Sequence, residues 1–168
     1  MQYDIGPMGE SLDVDLGDVA IIWMTPRHTA AVLGIENDSF FTPWSEDDFA
    51  RCRRQRNCIG MVAIDRFDDT VVGYVIYELH KFVIEILNIA VHPGARRIGI
   101  GTKIVDRMKQ KLSTRRRRRL SLYVSEENVR GHLWLRANEF RCVQTHEAFY
   151  DEGGTAYHFV YRLPQVNA

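Results

Sequence analysis

The 168-residue sequence predicts an α+β domain with about seven strands and four helices. Three observations carry this expectation. Apolar residues alternate with period two in some stretches and recur at three and four in others, and the two patterns follow the order β-α-α-β-β-β-α-β-α-β-β. Residues 85–112 join an apolar strand to an amphipathic helix through a glycine-rich turn. The length suits a single hydrophobic core, and no repeat or linker marks a second domain.

Residues 1–16 are polar, glycine-bearing and unpatterned, and read as a flexible tail before a single domain at 17–168. An apolar strand is expected over 19–24. Thr25-Pro26 then supplies a cap and a proline at the first helical position, opening a helix through about 36. An aromatic loop, Ser39-Phe40-Phe41-Thr42-Pro43-Trp44, leads to a second helix at 45–55, capped by Ser45-Glu46-Asp47-Asp48. Strands at 58–66 and 71–79 flank the turn Phe67-Asp68-Asp69-Thr70. A strand at 82–91 feeds the glycine turn, and Ile104, Val105, Met108 and Leu112 mark one face of the helix at 99–113. Leu120, Leu122 and Val124 alternate with Ser121, Tyr123 and Ser125, a strand with one polar face. A helix at 128–138 and a hairpin of strands 140–150 and 155–163 close the chain.

A strand, glycine turn and helix aim several backbone N–H groups and a helix dipole at one point, which favours an anion such as phosphate. The nucleoside-triphosphate loop is excluded, because Ile100 stands where its lysine must be. The dinucleotide fingerprint is excluded because no third glycine follows Gly99 and Gly101. What remains is Arg96-x-x-Gly99-x-Gly101, preceded by Asn88-Ile89-Ala90-Val91-x-Pro93.

This segment resembles the acyl-CoA pyrophosphate loop of the GNAT superfamily of N-acetyltransferases, whose pattern is [Q/R]-x-x-G-x-[G/A]. The element order matches that fold along nearly the whole chain. The resemblance implies a mixed central sheet and acetyl-CoA as co-substrate. It places the pyrophosphate on Arg97, Ile98, Gly99, Ile100, Gly101 and Thr102, with Arg96 contributing charge. The strand Ile89-Ala90-Val91 would pair with the pantetheine arm, and one of its N–H groups would polarise the thioester carbonyl. Asn128 matches an asparagine the family places near the pantetheine; it also reads as a plain helix cap. Phe41, Trp44, Phe149 and Tyr150 resemble the loops with which bacterial ribosomal-protein-alanine N-acetyltransferases wall a groove for a protein N-terminus. An α-amine with pKa near ~8 is neutral far more often at pH 7 than a lysine near ~10.4, so such an acceptor asks less of a base.

The resemblance implies two catalytic positions and two departures. Glu85 matches the glutamate many members use as base; it also reads as a strand residue pairing with a neighbour such as Lys81. In the ribosomal-protein branch the base lies where this chain has Tyr123. A phenol near pKa ~10 is a weak base at neutral pH, though it can donate a hydrogen bond or order a water. The tyrosine usually found five residues before the last helix's closing phenylalanine is here Leu135, which cannot protonate a thiolate. The expectation is therefore transfer of acetyl to a protein N-terminal α-amine. A small amine or lysine side chain as acceptor, and a non-catalytic acyl-CoA sensor, are the alternatives.

Composition excludes other classes. Formal net charge is zero, so no global field draws the protein to nucleic acid or membrane. Cys52, Cys58 and Cys142 are odd in number and form no C-x-x-C, which fits a reducing cytoplasm rather than a disulfide framework. The acidic N-terminus lacks a signal-peptide pattern, and no apolar stretch is long enough to span a bilayer. No His, Cys or Asp spacing marks a metal site. His132 and His146 read as surface or satisfied residues, and Trp134 as core or interface. Five consecutive arginines, Arg115, Arg116, Arg117, Arg118 and Arg119, read as a solvated helix end or as a ribosome or RNA contact. The assembly is expected to be a monomer or homodimer.

Overall fold

The computed structural model describes residues 11–151 and 153–164. Seven strands form one sheet in the order β1-β2-β3-β4-β5-β7-β6. They are β1 (Val19–Trp23), β2 (Cys58–Asp65), β3 (Val71–Leu79), β4 (Val83–Val91), β5 (Arg119–Ser125), β6 (Arg141–His146) and β7 (Ala156–Arg162). Four helices accompany them: α1 (Thr29–Ser39), α2 (Glu46–Arg54), α3 (Ile100–Lys109) and α4 (Val129–Ala137). Every neighbouring pair is antiparallel except β4 and β5, which run parallel. The sheet is mixed, with seven strands and four helices, as the sequence predicts.

Two apolar layers sandwich the sheet. Ile100, Ile104, Val105 and Met108 of α3 and Leu135 of α4 pack on one face. Val32 and Ile35 of α1 and Phe49 of α2 pack on the other. The α1–α2 layer meets residues of β1 to β4, so among the described residues no helix covers the β5-β7-β6 half of that face. Tyr123, His146 and His158 on that half are accordingly half-exposed.

Local chemistry explains most boundaries. Ser45 and Asp48 cap α2 reciprocally, Ser45 N–H to Asp48 Oδ2 at 2.8 Å and Asp48 N–H to Ser45 Oγ at 3.2 Å. Thr25-Pro26 opens a 3-10 turn, Pro26–His28, before α1 begins at Thr29, later than the sequence predicts. Helix α3 ends at Lys109 rather than 113, so the arginines occupy a loop and the start of β5. Four of them are exposed, while Arg117 Nε donates to the His80 carbonyl at 2.7 Å. The hairpin strands are shorter than expected, with residues 147–155 in the connection. Of the expected tail, residues 1–10 lie outside the described residues. Residues 11–16 are held: Leu12 N–H donates to the Gly94 carbonyl at 2.8 Å, and Leu12, Val14 and Leu16 pack on the α3-side core.

Strand β4 carries the site, and two irregularities shape it. Its ladder with β5 runs over Val83↔Arg119, Ile84↔Leu120 and Glu85↔Ser121 and then stops, opening the sheet between the two strands. A bulge leaves Leu87 unmatched, since Ile86 faces Tyr77 and Asn88 faces Ile76. Ile84, Ile86 and Ile89 therefore pack on the α3 side, while Leu87 and Ala90 face α1 and α2. No helix among the described residues is long and apolar enough to cross a membrane.

Candidate functional site

A cleft of about 710 Å³ opens where β4 and β5 part, bounded by the end of β4, the start of α3 and the start of α4. Ile89, Ala90, Val91, Arg96, Arg97, Gly99, Ile100, Gly101, Thr102 and Asn128 line it. Of the expected cofactor residues Ile98 alone is outside the lining; it is 40 % exposed. The turn is built by backbone conformation. Arg97 and Gly99 have φ of 69° and 102°, and a Cβ on Gly99 would come within 3.0 Å of Leu16. The first turn of α3 thus presents its unsatisfied N–H groups and positive dipole end to the cleft.

Arg96 does more than add charge. Its Nε donates to the Val91 carbonyl and its Nη2 to Ser39 Oγ, each at 2.9 Å. Opposite the turn, Asn128 is 2 % exposed. Its Oδ1 accepts the Gly131 N–H at 2.8 Å, capping α4. Its Nδ2 is buried with no hydrogen-bond partner. A buried donor left unpaired costs about 1–3 kcal/mol, so this amide fits a site that a ligand completes. Gly131 leaves room for it: a Cβ there would sit 2.4 Å from Asn128 Nδ2. Trp134, expected in the core or at an interface, packs in the core in part and also lines the cleft. Its indole flanks Gly101, where a Cβ would lie 3.1 Å from Cζ2. The cleft fits a ligand with an anionic, phosphate-bearing head and an extended arm.

The other expected residues lie on the α1–α2 side of the sheet. Glu85 is half-buried, with its carboxylate 3.2 Å from His80 Nε2, which lies 3.3 Å from Glu78. His80, rather than Lys81, is its partner, although the imidazole is not aligned for a hydrogen bond to either carboxylate. Tyr123 is two residues past Ser121, Glu85's neighbour, and so shares Glu85's face about 7 Å farther along. Its ring stacks on Phe149 at 4.9 Å and on His158 at 4.5 Å, with His146 edge-on at 5.4 Å. Phe149 meets Tyr150 edge-on at 5.2 Å. Burial pushes the Tyr150 phenol up, and burial, then His146 and Arg119, push the His158 imidazole down. The Nε2 atoms of His146 and His158 are buried without a partner. Leu135, at the position of the family's tyrosine, is 1 % exposed within the core.

The α1–α2 loop supplies the remaining pair. Phe41 is 71 % exposed, whereas Trp44 is half-buried and meets Phe49 edge-on at 5.3 Å. Sequence reasoning missed what holds this loop: the buried carboxylate of Glu36. It accepts the Trp44 N–H at 2.7 Å and bonds to Asn88 and Tyr74. A glutamate on a helix carries no signal of such a role. His158 was missed too, because it becomes Tyr123's neighbour through the β5–β7 register.

Comparison with known proteins agrees with this geometry. No curated protein matches the sequence. Among solved structures, the fold is similar to Ard1 from Thermoplasma volcanium, with TM-score 0.78, 18% identity, and 88% of this chain and 99% of that one covered. The ribosomal-protein-S18-alanine N-acetyltransferase from Escherichia coli has TM-score 0.76 and 19% identity, covering 89% and 98%. Arabidopsis thaliana NAA60 in complex with acetyl-CoA has TM-score 0.76 and 18% identity, covering 86% and 99%. A model of the acetyltransferase (GNAT) family matches residues 29–140, and with the parted β4–β5 pair and the glycine turn, the chain belongs to that family of acetyltransferases.

Proposed function

We propose that the protein transfers the acetyl group of acetyl-CoA directly to the α-amine of a protein N-terminus. The observation that carries the cofactor half is the buried Nδ2 of Asn128, without a partner among the described residues, in the wall of the same cleft as the α3 N-terminus. The main-chain N–H groups from Arg97 to Thr102 hold the diphosphate, and Arg96 braces the turn from behind. The edge of β4 beyond Glu85 takes the pantetheine arm as an added strand, and Asn128 Nδ2 donates to it. The bound cofactor supplies the acyl thioester. The likeness to a structure named as a ribosomal-protein-S18-alanine N-acetyltransferase supports the acceptor half, as does the aromatic face beside the parted strands.

On that face, Glu85 draws the α-ammonium and accepts its proton through water. Tyr123 orders that water by its hydroxyl. Phe41 and Trp44 on one side, and Phe149 and Tyr150 on the other, exclude solvent and cradle the first acceptor residues. With leucine at 135, proton return to the departing sulfur falls to solvent or to Tyr150. Three free cysteines fit a reducing, cytoplasmic setting. Incubation with acetyl-CoA and a peptide bearing N-terminal alanine should yield acetylated peptide and free CoA. Tight CoA binding with no turnover of any amine would overturn the reading in favour of an acyl-CoA sensor.

A further inference from the structure

Glu36 has no part in that chemistry, yet it is 1 % exposed and tied to three other segments. It sits in the last turns of α1. Its Oε1 accepts the Trp44 N–H at 2.7 Å, and its Oε2 accepts from Asn88 Nδ2 at 3.0 Å and from the Tyr74 hydroxyl. The same hydroxyl lies 3.2 Å from Asn88 Oδ1. Burial pushes the Glu36 carboxyl up, and its hydrogen bonds to Trp44, Tyr74 and Asn88 oppose that push.

The geometry of the partners gives the carboxylate a use. Trp44 closes the loop that presents Phe41, and Asn88 immediately precedes Ile89 in the cleft lining. Oε1 therefore grips the acceptor loop while Oε2 grips the strand. Ser39, in the same helix and fully buried, accepts from Arg96 at the cofactor turn. We infer that Glu36 is the positioning residue for the acceptor: its two oxygens fix the 40–44 loop against β4, holding the incoming amine in register with the acyl group. This rests on the proposed reading of that loop as the acceptor's wall.

The test is a double-mutant cycle on the full chain, using an N-terminal alanine peptide, with CoA affinity by calorimetry and thermal melts alongside. E36Q should lower kcat/KM for the peptide ~10-fold and E36A ~100-fold, the scale of an ångström of misplacement. CoA affinity should stay within about twofold, since uniform cofactor contacts are untouched. The melting temperature of E36Q should fall by only several degrees, since the amide turns its own donor toward one of the buried donors that the carboxylate accepts. F41A should weaken peptide recognition in the wild type but change little in E36A, because a loop already adrift no longer presents Phe41. Additive effects of E36A and F41A, or unchanged peptide kinetics in E36Q, would overturn the inference. Where E36A does not fold, the E36Q–F41A cycle decides. A wild type that acetylates no N-terminal peptide would remove the proposed function and this inference together. Turnover with an additive cycle would remove the inference alone.

Discussion

The cofactor cleft and the proposed acceptor face share β4 but are made of different material. The cleft draws nine of its fifteen lining residues from 89–102 and the other six from 127–134, and backbone conformation at Arg97 and Gly99 sets the shape of its turn. The proposed acceptor face is side chain, gathered from the α1–α2 loop, β4, β5, the β6–β7 connection and β7. A backbone site tolerates changes of side chain and fails when a Cβ intrudes. A side-chain site fails one group at a time.

Three experiments sharpen that contrast, from the largest expected effect down. Gly131→Ala drives a Cβ into Asn128 and should weaken CoA binding ~10–100-fold, the worth of one buried hydrogen bond; calorimetry with CoA decides, and unchanged affinity would detach Asn128 from the cofactor. Glu85→Gln acts on the other region. It should slow peptide acetylation at least ~10-fold near neutral pH while calorimetric CoA affinity holds; equal rates would remove Glu85 from the chemistry. The smallest effect concerns pH. The folded-state pKa of His158 is depressed, so the unfolded chain takes up its proton first as pH falls. Stability should therefore drop as pH falls through about 6.5, the ordinary imidazole value. Melts of His158→Phe should show a shallower drop across that window; the residual slope includes His28, whose pKa burial also lowers.

The contrast also explains what could be read in the chain. The cleft was legible because its determinants are contiguous: an apolar strand, Arg96-x-x-Gly99-x-Gly101 and an amphipathic helix. The α2 cap was legible for the same reason, Ser45 and Asp48 being three residues apart. Helix α1 starts late because Thr25-Pro26 opens a 3-10 turn first, a choice local pattern does not distinguish. His158 and Glu36 were invisible because their meaning lies in partners 35 and 38 positions away, His158 with Tyr123 across a strand pair and Glu36 with Tyr74 across a layer. Residues 11–16 read as tail because three alternating apolar residues among acids make a weak strand pattern; their packing depends on the groove beside α3.

The unmatched Leu87 has a consequence for how this protein can change over generations. Because one extra residue switches which side chains look up and which look down, upstream and downstream halves of the strand follow opposite parity. Loss of that one residue would turn the bulge into a regular ladder and still leave Ile89 toward α3 and Ala90 toward α1 and α2. Lineages carrying this domain can therefore differ here by the one extra residue without exchanging the partners of the strand's far end.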